Sequence, residues 1–281
     1  MDVRRKSRAR AARVGEELRL VRDQLGLSQK FVAEKTDLDP STIGAIERGS
    51  RVPQKRSVIT LLDYYRVRGP QRTRLIALVE KANEPGWVER FDLSAPLADY
   101  ITWESYAKEA MTYQSVLVPG LLQTPDYTRA LFRGEGLAPA VVENLVEVRH
   151  ERQASSLGRE EPLRLVAVMD EAVLHRPIGG PQVMAAQLGA LAKDDREHVT
   201  IQVVQHAAGA YPGLAGGPFI VLDDYDSSPL ACVESVRNTV FFERPEDVRR
   251  YLDTFQDLRQ MALNPEESRA LIGAAARKIK K

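Results

Sequence analysis

The sequence has 281 residues, a formal net charge of +1 and one cysteine, with 43% hydrophobic and 28% charged residues. That length suits about two domains of ~150 residues each, and the composition is that of a globular protein. No stretch approaches the ~18–20 uninterrupted apolar residues of a membrane helix, and the basic start MDVRRKSRARAARV lacks the apolar core of a secretory signal. Cys232, being alone, cannot form an internal disulfide, so the expectation is a cytoplasmic protein.

Charge is unevenly placed along the chain. Residues 1–84 hold 19 Lys and Arg against 11 Asp and Glu, whereas the other 197 residues hold 21 against 28. A basic first third and an acidic remainder predict one domain that faces nucleic acid and one that stays off the phosphates. The expected division is a nucleic-acid-facing domain with a basic arm over 1–84 and a second domain over 85–281.

Within the first domain, Val14, Leu18, Val21 and Leu25 recur at helical spacing, and Gly26 stops that helix. Ser28 is a suitable N-cap for a second helix from Gln29 to about Thr36. After a break at Asp37-Leu38, Asp39 caps a third helix that opens with Pro40, where a missing N–H costs nothing. Gly49 ends it. Val32, Ala33, Leu38, Ile43 and Ile46 then form a small shared core between two short helices joined by a tight turn. Val58, Leu61, Leu62 and Tyr65, then Leu75, Ile76 and Val79, predict two more helices and complete a five-helix domain that ends at Asn83-Glu84-Pro85-Gly86.

The run LSQKFVAEKTDLDPSTIGAIERGSRVP resembles the helix-turn-helix of the repressor-like XRE family of bacterial transcription regulators. It departs from that family's pattern at the turn, where Asp37 stands in place of the usual glycine, and in a plain third helix. Pro40, Ser41, Thr42, Gly44 and Ala45 occupy the helix's early positions, expected to be exposed. None can make the bidentate Arg–guanine or Asn/Gln–adenine contact that reads a base well. Phosphate contacts are better supplied, by Gln29 and Lys30 at the start of the second helix and by Arg48, Arg51, Lys55 and Arg56 after the third. The predicted DNA-binding set is therefore Gln29, Lys30, Ser41, Thr42, Gly44, Ala45, Arg48, Arg51 and Lys55. The resemblance further implies a buried structural ion pair between Arg22 and Glu47. The arm Arg4-Arg5-Lys6-Ser7-Arg8, continued by Arg10 and Arg13, is either a minor-groove contact or a solvated tail.

The second domain reads as α+β, with one sheet of about five strands flanked by helices. Predicted helices span Asp99 to about Tyr113, Pro125 onward behind the Thr124 cap, Pro139–Leu157, Pro181–Ala192, Pro245–Met261 and Pro265–Ile279. Predicted strands are Leu163–Met169, Val199–Gln205, Phe219–Asp224, Leu230–Val236 and Thr239–Phe242. VPGLLQTPDYTRAL, VRHERQ, MDEAVLHRPIGGPQVMAAQL and VTIQVVQHAAGAYPG resemble the C-terminal domain of uncharacterised function found in actinobacterial WhiJ-like and antitoxin-like regulators. There it follows an XRE-type helix-turn-helix, which implies a developmental or antitoxin-like regulatory context and no particular ligand.

No catalytic constellation stands out. His150, His175, His198 and His206 are spread without metal-ligand spacing, and neither H-E-x-x-H, C-x-x-C, a nucleophile elbow nor a phosphate loop occurs. Asp170-Glu171 and Ser235 have no indicated triad partner, and Cys232 reads as a small core residue. The expectation is a non-enzymatic, homodimeric DNA-binding regulator without cofactor or metal, whose second domain dimerises and senses a ligand or partner protein. The alternative is an antitoxin-like protein that sequesters a small companion and regulates its own promoter.

Overall fold

Helix α1 (Arg8–Gln24) buries Val14, Leu18 and Val21 along one stripe, the spacing that places residues three and four apart on one face. The computed structural model describes residues 8–50, 52–83, 87–91, 93–223, 229–234 and 239–279. The chain divides into two compact units, residues 1–103 and 104–281. Because α1 begins at Arg8, the last three basic residues of the predicted arm, Arg8, Arg10 and Arg13, are helical. Arg4, Arg5, Lys6, Ser7, Arg51 and Ser235 lie outside the described residues.

In the first unit α1 is followed by α2 (Gln29–Thr36), α3 (Pro40–Glu47), α4 (Lys55–Tyr64) and α5 (Gly69–Asn83). The Ser28 hydroxyl accepts the Phe31 N–H at 3.2 Å, and the Asp39 carboxylate accepts the Ser41 N–H at 2.7 Å. Both helices thus begin where their side chains satisfy a backbone donor that the helix itself leaves orphaned. Asp37 takes the left-handed conformation at φ 53°, a turn that closes α2 without glycine. Val32, Ile43, Ile46, Leu61, Leu62 and Leu75 fill the core with α1.

Gly15 decides how closely α1 meets α3. A Cβ at that position would stand 2.0 Å from the Ile46 carbonyl oxygen, so only a hydrogen there permits the approach. A short 3₁₀ turn (Trp87–Arg90) and α6 (Ala95–Tyr106) follow α5.

Among the described residues the second unit holds a six-stranded sheet, one strand more than expected. Its strands are β1 (Glu109–Gln114), β2 (Arg164–Asp170), β3 (Val199–Val204), β4 (Phe219–Asp223), β5 (Leu230–Glu234) and β6 (Thr239–Phe242), in the order β3-β2-β1-β4-β5-β6. The β1–β2 and β2–β3 pairs are parallel, and the three pairs from β1 to β6 are antiparallel. The predicted helix from Asp99 to Tyr113 is corrected: it ends as α6 at Tyr106, and the residues after it form β1. This strand is central, pairs on both edges and buries four consecutive residues, so it lacks the alternation that marks a half-exposed strand. Its Glu, Ala, Met and Gln are good helix formers, and strand pairing overrides that local preference.

Among the described residues this unit also holds six helices: α7 (Pro125–Gly134), α8 (Pro139–Leu157), α9 (Ala172–His175), α10 (Gly180–Ala192), α11 (Pro245–Met261) and α12 (Pro265–Ile279). Val248, Phe255 and Leu258 of α11 pack onto Met111, Tyr113, Val166, Val221 and their neighbours, while α10 packs on α12. Cys232 is buried in β5, and burial pushes its thiol pKa up, as suits a core residue. No described helix is long and apolar enough to cross a membrane.

Candidate functional site

The Arg22 guanidinium bonds Glu47 through two hydrogen bonds, Nε to Oε1 at 2.7 Å and Nη2 to Oε2 at 2.9 Å. The same guanidinium donates to the Leu27 carbonyl at 2.7 Å, so the end of α1, the α1–α2 loop and the end of α3 are tied at one point. Gln29 joins them, its Nε2 donating to Glu47 Oε2 at 2.6 Å. The Glu47 hydrogen bond raises the Arg22 pKa further above its ordinary value, which keeps the guanidinium charged. Tyr65 lies close by; burial first, and the Glu47 charge second, push its phenol pKa up.

This network positions the outer face of α2 and α3. Lys30, Ser41 and Arg48 are exposed, and Thr42 and Ala45 are half-buried. Three predicted site residues, Gly44, Gln29 and Lys55, sit differently from expectation. Gly44 is buried: a Cβ there would meet an Arg48 guanidinium nitrogen at 2.9 Å and Gln29 Oε1 at 3.3 Å. Gln29 is half-buried and engaged with Glu47. Lys55 is exposed at the start of α4, but its ammonium is paired with Glu80. Asp39 has a lowered pKa because it accepts hydrogen bonds first from the Ser41 side chain and then from its backbone, so the α3 cap is a carboxylate at neutral pH.

In the second unit the PGLLQT run is held by side-chain amides, of which Gln123 and Gln187 are buried and Gln153 is half-buried. Gln187 of α10 accepts the Thr124 N–H at 2.6 Å and donates to the Leu122 carbonyl at 2.8 Å. Gln123 donates to the Val118 carbonyl and accepts from Thr128, and Gln153 of α8 donates to the Gln123 carbonyl. The motif is therefore a backbone clamp, since these amides satisfy buried and half-buried polar groups of the run. A buried Arg152–Glu104 pair, with bonds of 3.0 and 2.7 Å, lies within the second unit and holds its first residue to α8.

The DEAVLH and AYPG runs converge where β2 and β3 end. Asp170, the last residue of β2, accepts the Ala172 N–H at 2.7 Å and the Tyr211 hydroxyl proton. Tyr211 meets Tyr113 of β1 at 2.8 Å between hydroxyl oxygens. Burial, then the bonds to Asp170 and Tyr113, push the Tyr211 pKa up, so it stays protonated as a donor. Glu171, His175 and His206 gather beside this chain of hydroxyls. The four histidines looked unrelated along the sequence, yet the fold brings two of them together. The Glu-x-x-x-His spacing of Glu171 and His175 was a visible signal, and the approach of His206 was not.

Two families match. A helix-turn-helix domain matches residues 13–75, and a domain of unknown function, DUF5753, matches residues 97–274, more than half of the chain. The chain belongs to the DUF5753 family. In this DUF5753 protein the helix-turn-helix precedes the family domain and supplies the DNA-binding unit. No curated protein and no solved structure matches the chain.

Proposed function

We propose that this DUF5753 protein is a cytoplasmic XRE-type transcription regulator, not an enzyme, which docks α3 and the start of α2 on duplex DNA. The observation that carries this reading is the solvent-facing side of the two helices. Lys30, Ser41 and Arg48 are exposed there, while Arg22, Glu47 and Gln29 lock the helices from behind. Lys30 and Arg48 bind phosphates, and Ser41, Thr42 and Ala45 offer only short contacts to base edges. Arg51, next to this face in sequence, adds a further phosphate contact.

With so little direct readout, one copy grips a half-site weakly. Two copies on one duplex combine their phosphate contacts, because the second engagement becomes intramolecular. The reading therefore includes a homodimer through the second unit, which leaves the basic face of each first unit free for phosphates. That second unit also receives the regulatory signal, a small effector or a partner protein.

Sedimentation of the full chain, alone and with duplex DNA selected from a random pool, tests the reading. The expected result is a dimer bound to an inverted repeat with half-sites one helical turn, ~34 Å, apart. A chain that binds no duplex at any salt concentration overturns the DNA-binding reading, and a monomer that binds a single half-site as tightly overturns the dimer.

A further inference from the structure

Parallel strands deliver their C-terminal ends, and the loops that follow, to one edge of a sheet, where open α/β sheets bind ligands. Asp170 and Val204 are register partners at the ends of β2 and β3, so Glu171 and the 205–206 segment leave the sheet side by side. The Glu171 N–H donates to the Val204 carbonyl at 2.9 Å, and the His206 N–H donates to Glu171 Oε2 at 2.9 Å. The first bond holds the Glu171 main chain against the end of β3, and the second holds its carboxylate. One helical turn on, His175 places Nε2 at 3.5 Å from Glu171 Oε1, and His206 places Nδ1 at 3.9 Å from Glu171 Oε2. One ligand-type atom from each of the three residues lies within 4.8 Å of the others.

We propose that Glu171, His175 and His206 bind one divalent transition-metal ion of the zinc type, with a further coordination position open to water or an exchangeable ligand. Two imidazoles and one carboxylate are a donor set that zinc accepts, with Zn–N bonds of ~2.0–2.1 Å and Zn–O bonds of ~2.0–2.2 Å. Magnesium and calcium prefer oxygen donors, so the two imidazoles select against them. The rings are 46% and 57% exposed, which leaves them free to turn inward by the small distance that bonding requires and leaves the ion a path from solvent.

The surroundings of His206 match this assignment. Its Nδ1 faces Glu171, while its Nε2 lies 3.7 Å from Asp170 Oδ1. A metal-bound histidine typically donates its other ring N–H to a carboxylate, which fixes the tautomer and the ring's direction. Asp170 is itself held by Tyr211, which is backed by Tyr113, and by the Ala172 N–H. Asp170 is thus a positioning residue whose oxygens are already engaged. The site lies wholly in the second unit and is independent of the DNA-binding reading.

Isothermal titration of the full chain, free of any histidine tag and stripped with chelator, tests the proposal, with zinc chloride as the probe and magnesium chloride as the control. The expected result is one zinc per chain and no magnesium binding. His175→Ala and His206→Ala each abolish the zinc isotherm while keeping the metal-free melting curve, because both rings are largely exposed. Asp170→Asn, which retains an oxygen for the Ala172 N–H, weakens zinc binding by about 10–100-fold. Absence of zinc uptake by the wild-type chain overturns the proposal. So does undiminished uptake by the His175→Ala/His206→Ala double variant, which would put the ion on other groups.

Discussion

Glu47 accepts both forward-facing nitrogens of Arg22 and also the amide of Gln29, so one buried carboxylate joins three helices of the DNA-binding unit. Replacing it with alanine leaves the Arg22 charge facing a void, and breaking a buried pair from one side costs about 3–5 kcal/mol. Arg22 keeps the Leu27 carbonyl and a contact with Asp23 at 2.7 Å, which places Glu47→Ala at the lower end, about 3 kcal/mol. Denaturant unfolding of the variant against wild type checks this. An unchanged midpoint would show that the pair does not hold the unit together.

A second test concerns the α1–α3 contact. Gly15→Ala introduces a methyl group 2.0 Å from the Ile46 carbonyl oxygen, and no rotamer relieves a clash between a Cβ and backbone. The helices must separate, and overpacking of this kind costs about 1–3 kcal/mol or more. Alanine elsewhere in a helix stabilises relative to glycine, so the sign of this substitution is diagnostic. Melting followed by circular dichroism should show a clear decrease in Tm, and an increase would mean that α1 stands off from α3.

What could be read from the sequence was local chemistry. Ser28, Asp39, Pro40 and Gly49 mark the ends of α2 and α3 because capping and left-handed turns depend on the side chain at that position. Pro139, Pro245 and Pro265 mark helix starts for the same reason. Strand β1 was hidden because its identity depends on partners far along the chain, Arg164–Met169 on one edge and Phe219–Asp223 on the other. Gly15 was equally silent, since a glycine inside a helix looks only like a weak helix former until α3 is seen against it. Lys55 looked available for phosphate until the fold placed Glu80 beside it. At the second site Glu171 and His175 share a helical turn, but the pairing of β2 with β3 alone brings His206 to them.

The Asp39 cap predicts an acid-sensitive α3. Its folded pKa lies below the ordinary carboxylate value because the charged form accepts hydrogen bonds from Ser41. A depressed folded pKa means that the unfolded chain takes up the proton first. The cap's contribution is therefore fully present above the unfolded pKa of about 3.9 and is lost as pH falls through the lower folded value. Asp39→Asn keeps an oxygen for the Ser41 N–H but cannot titrate, so the stability gap between wild type and variant should narrow on acidification below about pH 4. Urea unfolding at a series of pH values measures that gap, and a gap independent of pH would remove Asp39 from the account.

The DNA face makes its sharpest prediction through salt. Each phosphate contact releases condensed counterions, so the slope of log K against log salt is set by the number of contacts, at about 0.9 per phosphate on duplex DNA. Lys30 and Arg48 are exposed at the start of α2 and just past the end of α3, so Lys30→Ala and Arg48→Ala should each flatten the slope by about one unit. The loss should be nearly uniform across sequences, because phosphates carry no base identity. Lys55 is a different case. Its ammonium already neutralises Glu80, so binding phosphate means surrendering that partner, and Lys55→Ala should change the slope less than either of the others. Fluorescence anisotropy of labelled duplexes over a range of salt concentrations measures all three slopes with one protocol. Equal slopes for Lys30→Ala, Arg48→Ala and wild type would move the DNA face away from α2 and α3, and a full unit lost at Lys55 would mean that its pair with Glu80 opens on the duplex.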